Sequence, residues 1–231
     1  MHEQKNFKII HEDDEVIVID KPSGILVTPD FKNQTPTLTD FLNKYLISGG
    51  RQYRAYPCHR IDRETSGLVI FAKGEMNQKL LMQEFKLRKV KKRYIAFVQG
   101  ALNSAKGTIK SYISSSFKHN NKDFRKSPKL AITDYRVIAF ARDFSVVEIR
   151  PITGRTNQIR IHFKQLRHPL LGERKYAFGK DFALKFRRLA LHASNLVFLN
   201  PVTHKRIEVS SDLPNDMQSF IDSKIGKIDL R

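Results

Sequence analysis

One short stretch of this sequence combines residue types that can do chemistry. Residues 59–67 read His-Arg-Ile-Asp-Arg-Glu-Thr-Ser-Gly and place the carboxyl group of Asp62 between the guanidinium groups of Arg60 and Arg63. Positive charge on both sides favours the ionised acid, so Asp62 should be a carboxylate at neutral pH. Such a group can act as a nucleophile, as a base or as half of a structural ion pair, and this stretch alone leaves all three roles open.

A basic segment that ends in an aromatic residue is the second candidate. Residues 86–93 are almost all Lys or Arg, and Lys91, Lys92 and Arg93 lead directly into Tyr94 within a strand-like stretch. A run of cations is commonly a solvated face, and Tyr94 is either a core aromatic or a ring that faces a nucleobase. Because nucleobase stacking uses aromatic rings beside cations, the position next to Tyr94 favours a nucleic-acid contact for these three cations.

Residues 154–162 supply further arginines and amides at a predicted helix start. The free N–H groups and the dipole of a helix start attract anions, which makes Arg155 a candidate for contacting a phosphate or another anion. If Arg160 points inward it needs a carboxylate, since a buried unpaired guanidinium is costly. We expect Asp62 to be that partner.

The charge balance of the whole chain points to a polyanionic partner. The 231 residues include 42 Lys and Arg against 23 Asp and Glu, a formal net charge of +19. Such a surplus favours nucleic acid first, with a membrane surface as the rival. No apolar run approaches the roughly 20 residues of a membrane-spanning helix, and the N-terminus does not resemble a signal peptide. One cysteine, Cys58, rules out an internal disulfide, so we expect a cytoplasmic protein that does not cross a membrane.

The sequence lacks the common motifs for metals and nucleotide cofactors. Its eight histidines are scattered, without a His-Glu-x-x-His or Cys-x-x-Cys pattern, and no Gly-rich phosphate-binding fingerprint occurs. Cys58 stands beside His59 without an identifiable third residue to orient the pair, so a small buried residue is the better interpretation. We expect neither a metal nor a cofactor.

Hydrophobic spacing predicts the elements that must position these residues. Apolar residues at helical spacing predict helices over residues 37–47, 75–87, 156–166 (with Thr156 as N-cap) and 214–221. Runs of β-branched and aromatic residues predict strands over residues 15–20, 25–27, 94–98, 108–113, 131–140, 144–150, 189–199 and 206–209. Residues 117–129 are polar and basic, which predicts a long loop that RNA could order. Strands outnumber helices without alternating with them, which favours one α+β domain over a parallel βαβ sheet.

Five segments resemble the motifs of the RluA-type pseudouridine synthases, in that family's order. They are residues 21–27, 59–67, 92–94, 154–162 and 191–193. The pairing of His-Arg-x-Asp-Arg-x-Thr-Ser-Gly with Gly-Arg-Thr-x-Gln-Ile-Arg makes this resemblance specific. It implies a mixed, largely antiparallel sheet flanked by helices in a single catalytic domain.

The range of residues that these motifs cover predicts the domain boundaries. We expect the catalytic domain over residues 7–223, with terminal tails at residues 1–6 and 224–231. The sequence before Phe7 is too short for the S4-type RNA-binding domain of many relatives, so we expect no such domain.

The resemblance implies isomerisation of uridine to pseudouridine in ribosomal or transfer RNA stem-loops. The N1–C1′ bond breaks, the uracil rotates, and C5 rejoins C1′, without a cofactor or a metal. By motif, Asp62 is the catalytic carboxylate, which attacks the sugar or removes a sugar proton. Tyr94 matches the tyrosine that stacks on the flipped uracil and assists deprotonation at C5, and Arg160 matches the arginine that pairs with the catalytic Asp.

The resemblance also separates the two arginines that flank Asp62. Arg60 matches the residue that enters the RNA stack as the target base leaves it, which offsets part of the cost of base flipping. Arg63 keeps a supporting role or contacts a phosphate. Two positions differ from many relatives, since Asn157 and Thr28 stand where those often have His.

Two other functions compete with the isomerase hypothesis. A non-catalytic RNA-binding module could use the same fold, although intact Asp62, Tyr94 and Arg160 argue against it. A metal-dependent nuclease would need clustered carboxylates, and near Asp62 in sequence there is only Glu64. In each case we expect a monomer that binds RNA.

Overall fold

The computed structural model describes most of the chain, with a few gaps. Described are residues 7–30, 36–114, 116–119, 122–125, 127–176, 184 and 186–226. The chain divides into two compact units, of which the first comprises residues 1–94 and 191–218 and the second residues 95–190 and 219–231. Helices occur together with mainly antiparallel strands, which confirms the predicted α+β class.

Four helices and twelve strands lie within the described residues. The helices are α1 (Leu38–Ser48), α2 (Glu75–Lys86), α3 (Gln158–Gln165) and α4 (Asn215–Lys224). The strands are β1 (Lys8–Glu12), β2 (Val16–Lys21), β3 (Ala55–Pro57), β4 (Ser66–Lys73), β5 (Lys91–Gln99), β6 (Lys106–Ile113), β7 (Ser116–His119), β8 (Lys122–Arg125), β9 (Lys129–Phe140), β10 (Phe144–Pro151), β11 (Leu191–Leu199) and β12 (Arg206–Ser210). Every predicted helix is present, and so is every predicted strand except residues 25–27.

The first unit contains a mixed sheet with the strand order β1-β2-β4-β11. β3 lies beside β4 and β12 beside β11, and all pairs are antiparallel except β4 with β11. β2 and β4 are buried along nearly their whole length, which explains their continuous apolar runs. Leu81 of α2 belongs to the same hydrophobic core cluster as Leu68 and Ile70 of β4.

In the second unit, β9 pairs antiparallel with both β6 and β10. Part of the core of this unit is aromatic, with contacts among four rings whose centroids are 5.2–6.1 Å apart. These rings are Phe97, Phe144, Phe186 and Phe220. Edge and tilted arrangements dominate, as aromatic quadrupoles favour.

The predicted strand over residues 25–27 is wrong. The carbonyl of Leu26 accepts from the N–H of Leu38, and the carbonyl of Val27 accepts from the N–H and the hydroxyl of Thr39. The first N–H groups of a helix have no partner inside the helix, and this segment provides acceptors for those of α1. Leu26 and Val27 are buried beside the start of α1 instead of in a sheet, and Ile25 is half-buried.

The predicted loop over residues 117–129 is also wrong in its central part. The backbones of β7 and β8 pair antiparallel, with residue 116 opposite 125 and 119 opposite 122. Pairing gives these backbone groups partners that an extended loop would leave to water, and polar composition alone does not reveal it. Residues 120, 121 and 126 of that prediction lie outside the described residues, as do residues 1–6 and 227–231 of the predicted tails.

Across the described ranges, no helix has both the length and the apolar character that crossing a membrane requires.

Candidate active site

Asp62 lies on a tight turn that leads directly into the buried strand β4. The N–H of Thr65 donates to the carbonyl of Asp62 at 3.1 Å, and Ser66 is the first residue of β4. The first seven residues of β4 are buried, whereas Asp62 is half-buried. The predicted turn into an apolar strand is confirmed, and it places a carboxylate at the edge of the core.

The start of β4 is held against β11 by a close backbone approach. Gly67 has a φ of 109° and lies opposite Ala193 in the parallel pair, and a Cβ at Gly67 would overlap the backbone of Ala193. Next to it, the hydroxyl of Ser66 and Nδ1 of His192 are 3.1 Å apart, and both residues are buried. Only glycine fits this position, so the motif glycine fixes where the Asp62 turn ends and β4 begins.

A buried lysine connects the Asp62 turn to the end of β2. Nζ of Lys21 donates to the carbonyls of Pro22 and Ile25 at 2.9 Å each and to that of Arg63 at 3.1 Å. Lys21 has no exposed surface, so these carbonyls replace the water that its ammonium group loses. Sequence reasoning gave Lys21 no role, although a lysine at the end of an apolar strand was a signal for one.

The two arginines that flank Asp62 have different surroundings. Nε of Arg63 donates to the carbonyl of Gly24 at 2.9 Å, and the N–H of Gly24 donates to the carbonyl of Arg63 at 2.8 Å. The hydroxyl of Ser23 donates to the carbonyl of Glu64 at 2.7 Å, which adds a third link between the same two turns. Arg60 is exposed. Arg63 therefore braces the turn, while Arg60 presents its side chain at the surface.

Tyr94 is mostly buried and lies within electrostatic range of Asp62. Its side chain lies at the junction between the basic start and the buried remainder of β5, and 9% of the residue is exposed. Burial raises the pKa of Tyr94 well above its ordinary value, and the negative charge of Asp62 raises it further. Tyr94 is therefore a neutral phenol that experiences the charge of a carboxylate. The sequence left open whether Tyr94 is a core aromatic or an exposed ring, and its burial agrees better with a core aromatic.

The neighbouring histidine and cysteine are structural groups. Nε2 of His59 accepts from the N–H of Ile70 at 3.0 Å, and its ring packs against Phe85 with 4.6 Å between centroids. Desolvation, with a smaller contribution from the charge of Lys92, lowers the pKa of His59 to about 3. Burial raises the pKa of Cys58 to about 12. Neither side chain changes its charge near neutral pH, which excludes His59 as a general acid and Cys58 as a thiolate nucleophile.

The predicted phosphate contacts of the basic segment are exposed to different degrees. Lys91 is exposed, while Lys92 and Arg93 are half-buried at the start of β5. Desolvation lowers the pKa of Lys92. Of the three, Lys91 is therefore the one most open to a ligand from solvent.

In the second unit, Arg160 lies on α3 and is buried in a polar network. Its Nε donates to Oε2 of Glu173 and its Nη2 to Oε1, each at 2.7 Å, and its Nη1 donates to Oδ1 of Asn157 at 3.2 Å. The side chains of Arg160 and Glu173 are 7% and 1% exposed. Burial by itself would raise the pKa of Glu173, but the hydrogen bonds and charge of Arg160 lower it below its usual value. Arg160 thus points inward, as predicted, and has a carboxylate partner that sequence reasoning missed.

Arg155 precedes α3 and is positioned by a buried glutamine. α3 begins at Gln158 with Asn157 as N-cap, so the prediction of Thr156 as N-cap is wrong. Asn157 caps without a side-chain hydrogen bond; instead, Oε1 of Gln158 accepts from the N–H of Arg155 at 3.0 Å. Nε of Arg155 donates to the carbonyl of Leu130 at 3.2 Å, so part of this guanidinium braces the preceding loop against β9.

The predicted site residues are divided between the two units. The first unit contains Arg60, Asp62, Arg63, Lys91, Lys92, Arg93 and Tyr94, and the second contains Arg155 and Arg160. Within the first unit, the charge of Asp62 acts on the phenol of Tyr94. The pairing of Arg160 with Asp62 stays a prediction. Glu173 was missed, although it is one of very few acids in the basic stretch that follows α3.

A sequence model described as RNA pseudouridylate synthase matches residues 15–165 of the chain. "Uncharacterized RNA pseudouridine synthase YhcT" of Bacillus subtilis is 34% identical over 92% of this chain and 70% of its own length. "Ribosomal large subunit pseudouridine synthase D" of Borreliella burgdorferi is 39% identical over 81% of this chain and 60% of its own length.

A solved structure supports the fold. "Human RNA Pseudouridylate Synthase Domain Containing 4" superimposes with a TM-score of 0.76 at 24% identity, and the match covers 92% of this chain and 91% of that one. At this identity the likeness concerns the fold alone. The match of the sequence model to more than half of the chain, together with the identity to curated relatives, shows that the chain belongs to the RNA pseudouridylate synthase family.

Proposed function

We propose that this protein isomerises uridine to pseudouridine in RNA, with Asp62 as its catalytic carboxylate. The observation that carries the proposal is the placement of Asp62 on a fixed turn beside the neutral phenol of Tyr94. Membership of a family of isomerases supports the reaction type. The reaction exchanges a C–N for a C–C glycosidic bond within one nucleotide, so we propose that no cofactor takes part.

Asp62 can start the reaction by either of two routes. Its carboxylate attacks C1′ and displaces N1, or it removes a proton from the sugar and releases the uracil. After the uracil turns over, C5 displaces the carboxylate of Asp62 from C1′ in the first route; in the second, C5 adds to C1′ and Asp62 returns the proton to the sugar. In both routes the C5 proton is then lost and N1 takes up a proton, so the product is an isomer of the uridine. A carboxylate held at the edge of the core is partly shielded from water, which strengthens its interaction with charge that develops on the sugar.

We propose that Tyr94 and Arg160 also take part in this reaction. The ring of Tyr94 suits stacking on the flipped uracil, and its neutral hydroxyl can donate a hydrogen bond. For Arg160 the proposed role is to hold the catalytic carboxylate in its ionised form; the burial of this permanently charged side chain within a polar network supports that role.

Arg60 is our candidate for the side chain that replaces the flipped base. It is exposed, and it lies on the turn that carries Asp62. Flipping a nucleotide costs a few kcal/mol, and an inserted guanidinium that stacks on the neighbouring bases offsets part of that cost.

The proposed substrate is ribosomal RNA. Several relatives are named "Ribosomal large subunit pseudouridine synthase D", and the net charge of +19 favours a polyanion. We propose that Arg63, Arg155 and the basic segment 91–93 contact its phosphates. A transfer RNA stem-loop is the competing substrate. We further propose a monomer that acts in the cytoplasm.

Release of tritium from RNA labelled at C5 of uridine tests this proposal. Wild-type protein should release tritium from ribosomal RNA, and Asp62→Asn should abolish release while RNA binding persists. Asp14→Asn is the matched control, because Asp14 is an exposed acid of the same unit outside the site. Full activity of Asp62→Asn would contradict the role of Asp62. RNA binding without isomerisation by wild-type protein would favour the non-catalytic RNA-binding module.

A further inference from the structure

We propose that Glu173 is a positioning residue for the active site, whose carboxylate fixes the guanidinium of Arg160. This inference rests on the proposed function, in which Arg160 belongs to the active site. It adds to the reaction a residue that does not itself touch the uridine and acts only through Arg160.

The contact between the two side chains is bidentate. Both oxygens of Glu173 accept from Arg160, one from Nε and one from Nη2, and both distances are 2.7 Å. Two parallel hydrogen bonds fix the plane of a guanidinium as well as its position, which a single contact would not do. The ammonium group of a lysine could not reproduce this geometry.

The carboxylate of Glu173 is itself held by the backbone around it. The N–H groups of Lys175 and Tyr176 donate to Oε1 at 2.7 and 3.2 Å, and the N–H of Glu173 donates to the carbonyl of Leu170 at 3.2 Å. The preceding residue, Gly172, has a φ of 73°, and a Cβ there would overlap the carbonyl of Arg188. The turn that carries Glu173 therefore has a fixed backbone, so the acceptor site for Arg160 is preformed.

A second set of contacts holds Arg160 from another side. Oδ1 of Asn157 accepts from its Nη1 at 3.2 Å, and Nδ2 of Asn157 donates to the hydroxyl of Tyr176 at 3.0 Å. The Tyr176 ring centroid is 5.3 Å from Cζ of Arg160, within range of a cation–π contact. Asn157 adopts a φ of 54°, a region in which Asn is among the favoured residues. Glu173, Asn157 and Tyr176 together form a frame around one guanidinium.

Stability alone is a weak reason for such a frame. Burying an ion pair removes two charges from water, and apolar residues of the same volume commonly stabilise a protein as well or better. A fixed guanidinium is useful where a reaction depends on position, because misplacement by about 1 Å can reduce a rate about 100-fold.

Glu173→Gln tests this role, with Glu148→Gln as the matched control. Glu148 is buried in the same unit and pairs with Arg136 and Arg150, so its substitution also removes a buried charge from an ion-pair network. The single-turnover rate at saturating RNA, the Kd for the same RNA and the melting temperature are measured for each variant. Glu173→Gln should slow the rate about 100-fold with little change in Kd. Glu148→Gln should leave the rate near that of wild type, whatever its effect on melting.

Glu173→Asp keeps the test decisive if Glu173→Gln fails to fold. This variant keeps the negative charge, but its shorter side chain places the carboxylate farther from Arg160. We therefore expect a rate between those of wild type and Glu173→Gln. A wild-type rate in any folded Glu173 variant would overturn the positioning role, as would equal losses of rate in the Glu173 and Glu148 variants. In both of those cases the wild-type protein is active, so the proposed function stands. An inactive wild-type protein would overturn the proposed function and the inference with it.

Discussion

The carboxylate of Asp62 lies near enough to the phenol of Tyr94 to oppose its ionisation. Burial of the ring is the larger cause of the raised pKa of Tyr94, and the charge of Asp62 adds to it. A phenolate beside Asp62 would bring two negative charges together in a poorly hydrated place. Without substrate, Tyr94 is therefore held as a neutral phenol, which can donate a hydrogen bond.

This electrostatic relationship predicts how the rate depends on pH. Because the pKa of Tyr94 is raised above its ordinary value of about 10, Tyr94 should not titrate between about pH 7 and pH 10. Over that range, the single-turnover rate of Tyr94→Phe should depend on pH in the same way as the rate of wild type. A change with an apparent pKa below about 10 that disappears in Tyr94→Phe would contradict the neutral phenol.

Gly67→Ala should destabilise the protein by several kcal/mol and slow isomerisation. The new methyl group would overlap the backbone of Ala193, so β4 and β11 would have to separate where the Asp62 turn ends. Gly50→Ala is the control, since Gly50 also has a positive φ, of 73°, but nothing lies within 4 Å of the added Cβ. Backbone strain alone should cost Gly50→Ala about 1 kcal/mol. Equal losses in urea unfolding would show that the contact with Ala193 is unimportant.

Lys21→Met should lower the free energy of unfolding by about 2–4 kcal/mol, because three backbone carbonyls around the buried side chain would lose a donor. The carbonyl of Arg63 is one of them, so the turn that carries Asp62 should loosen and the isomerisation rate should fall. Lys79→Met, at an exposed position of α2, provides the control. If urea unfolding gives the same stability for both variants, Lys21 does not anchor the turn.

The imidazole of His59, half-buried and packed against Phe85, should make stability fall in acid. Its pKa is about 3 in the folded protein against about 6.5 in an unfolded chain, so between these values the unfolded chain binds a proton that the folded protein does not. The free energy of unfolding should therefore decrease as the pH falls through that interval, by up to about 2 kcal/mol from pH 7 to pH 5. Urea unfolding of His59→Gln should show a smaller loss than wild type. His204→Gln, at an exposed histidine, should behave as wild type does.

Local sequence determined much of the fold. Apolar periodicity located every described helix and most strands, because an amphipathic or continuous apolar pattern reflects which face of one element is buried. Residues 59–67 located the turn that carries Asp62, since Thr-Ser-Gly before an apolar run leaves few other conformations. The strand predicted over residues 25–27 was wrong because the same kind of apolar pattern can arise from a different kind of burial. An apolar pattern indicates that residues are buried, but it does not distinguish burial against the start of α1 from burial in a sheet.

Only the tertiary structure decided which groups became partners. The sequence required that an inward Arg160 meet a carboxylate, but Glu173 was identified by the backbone turn that brings it to both nitrogens. Likewise, Lys21 has Arg63 as a partner although 42 positions separate them. Such contacts depend on how strands and turns converge in space, and hydrophobic spacing along one element contains no information about that convergence. The sequence by itself determined the chemistry available around Asp62; the fold determined which side chains hold that chemistry in place.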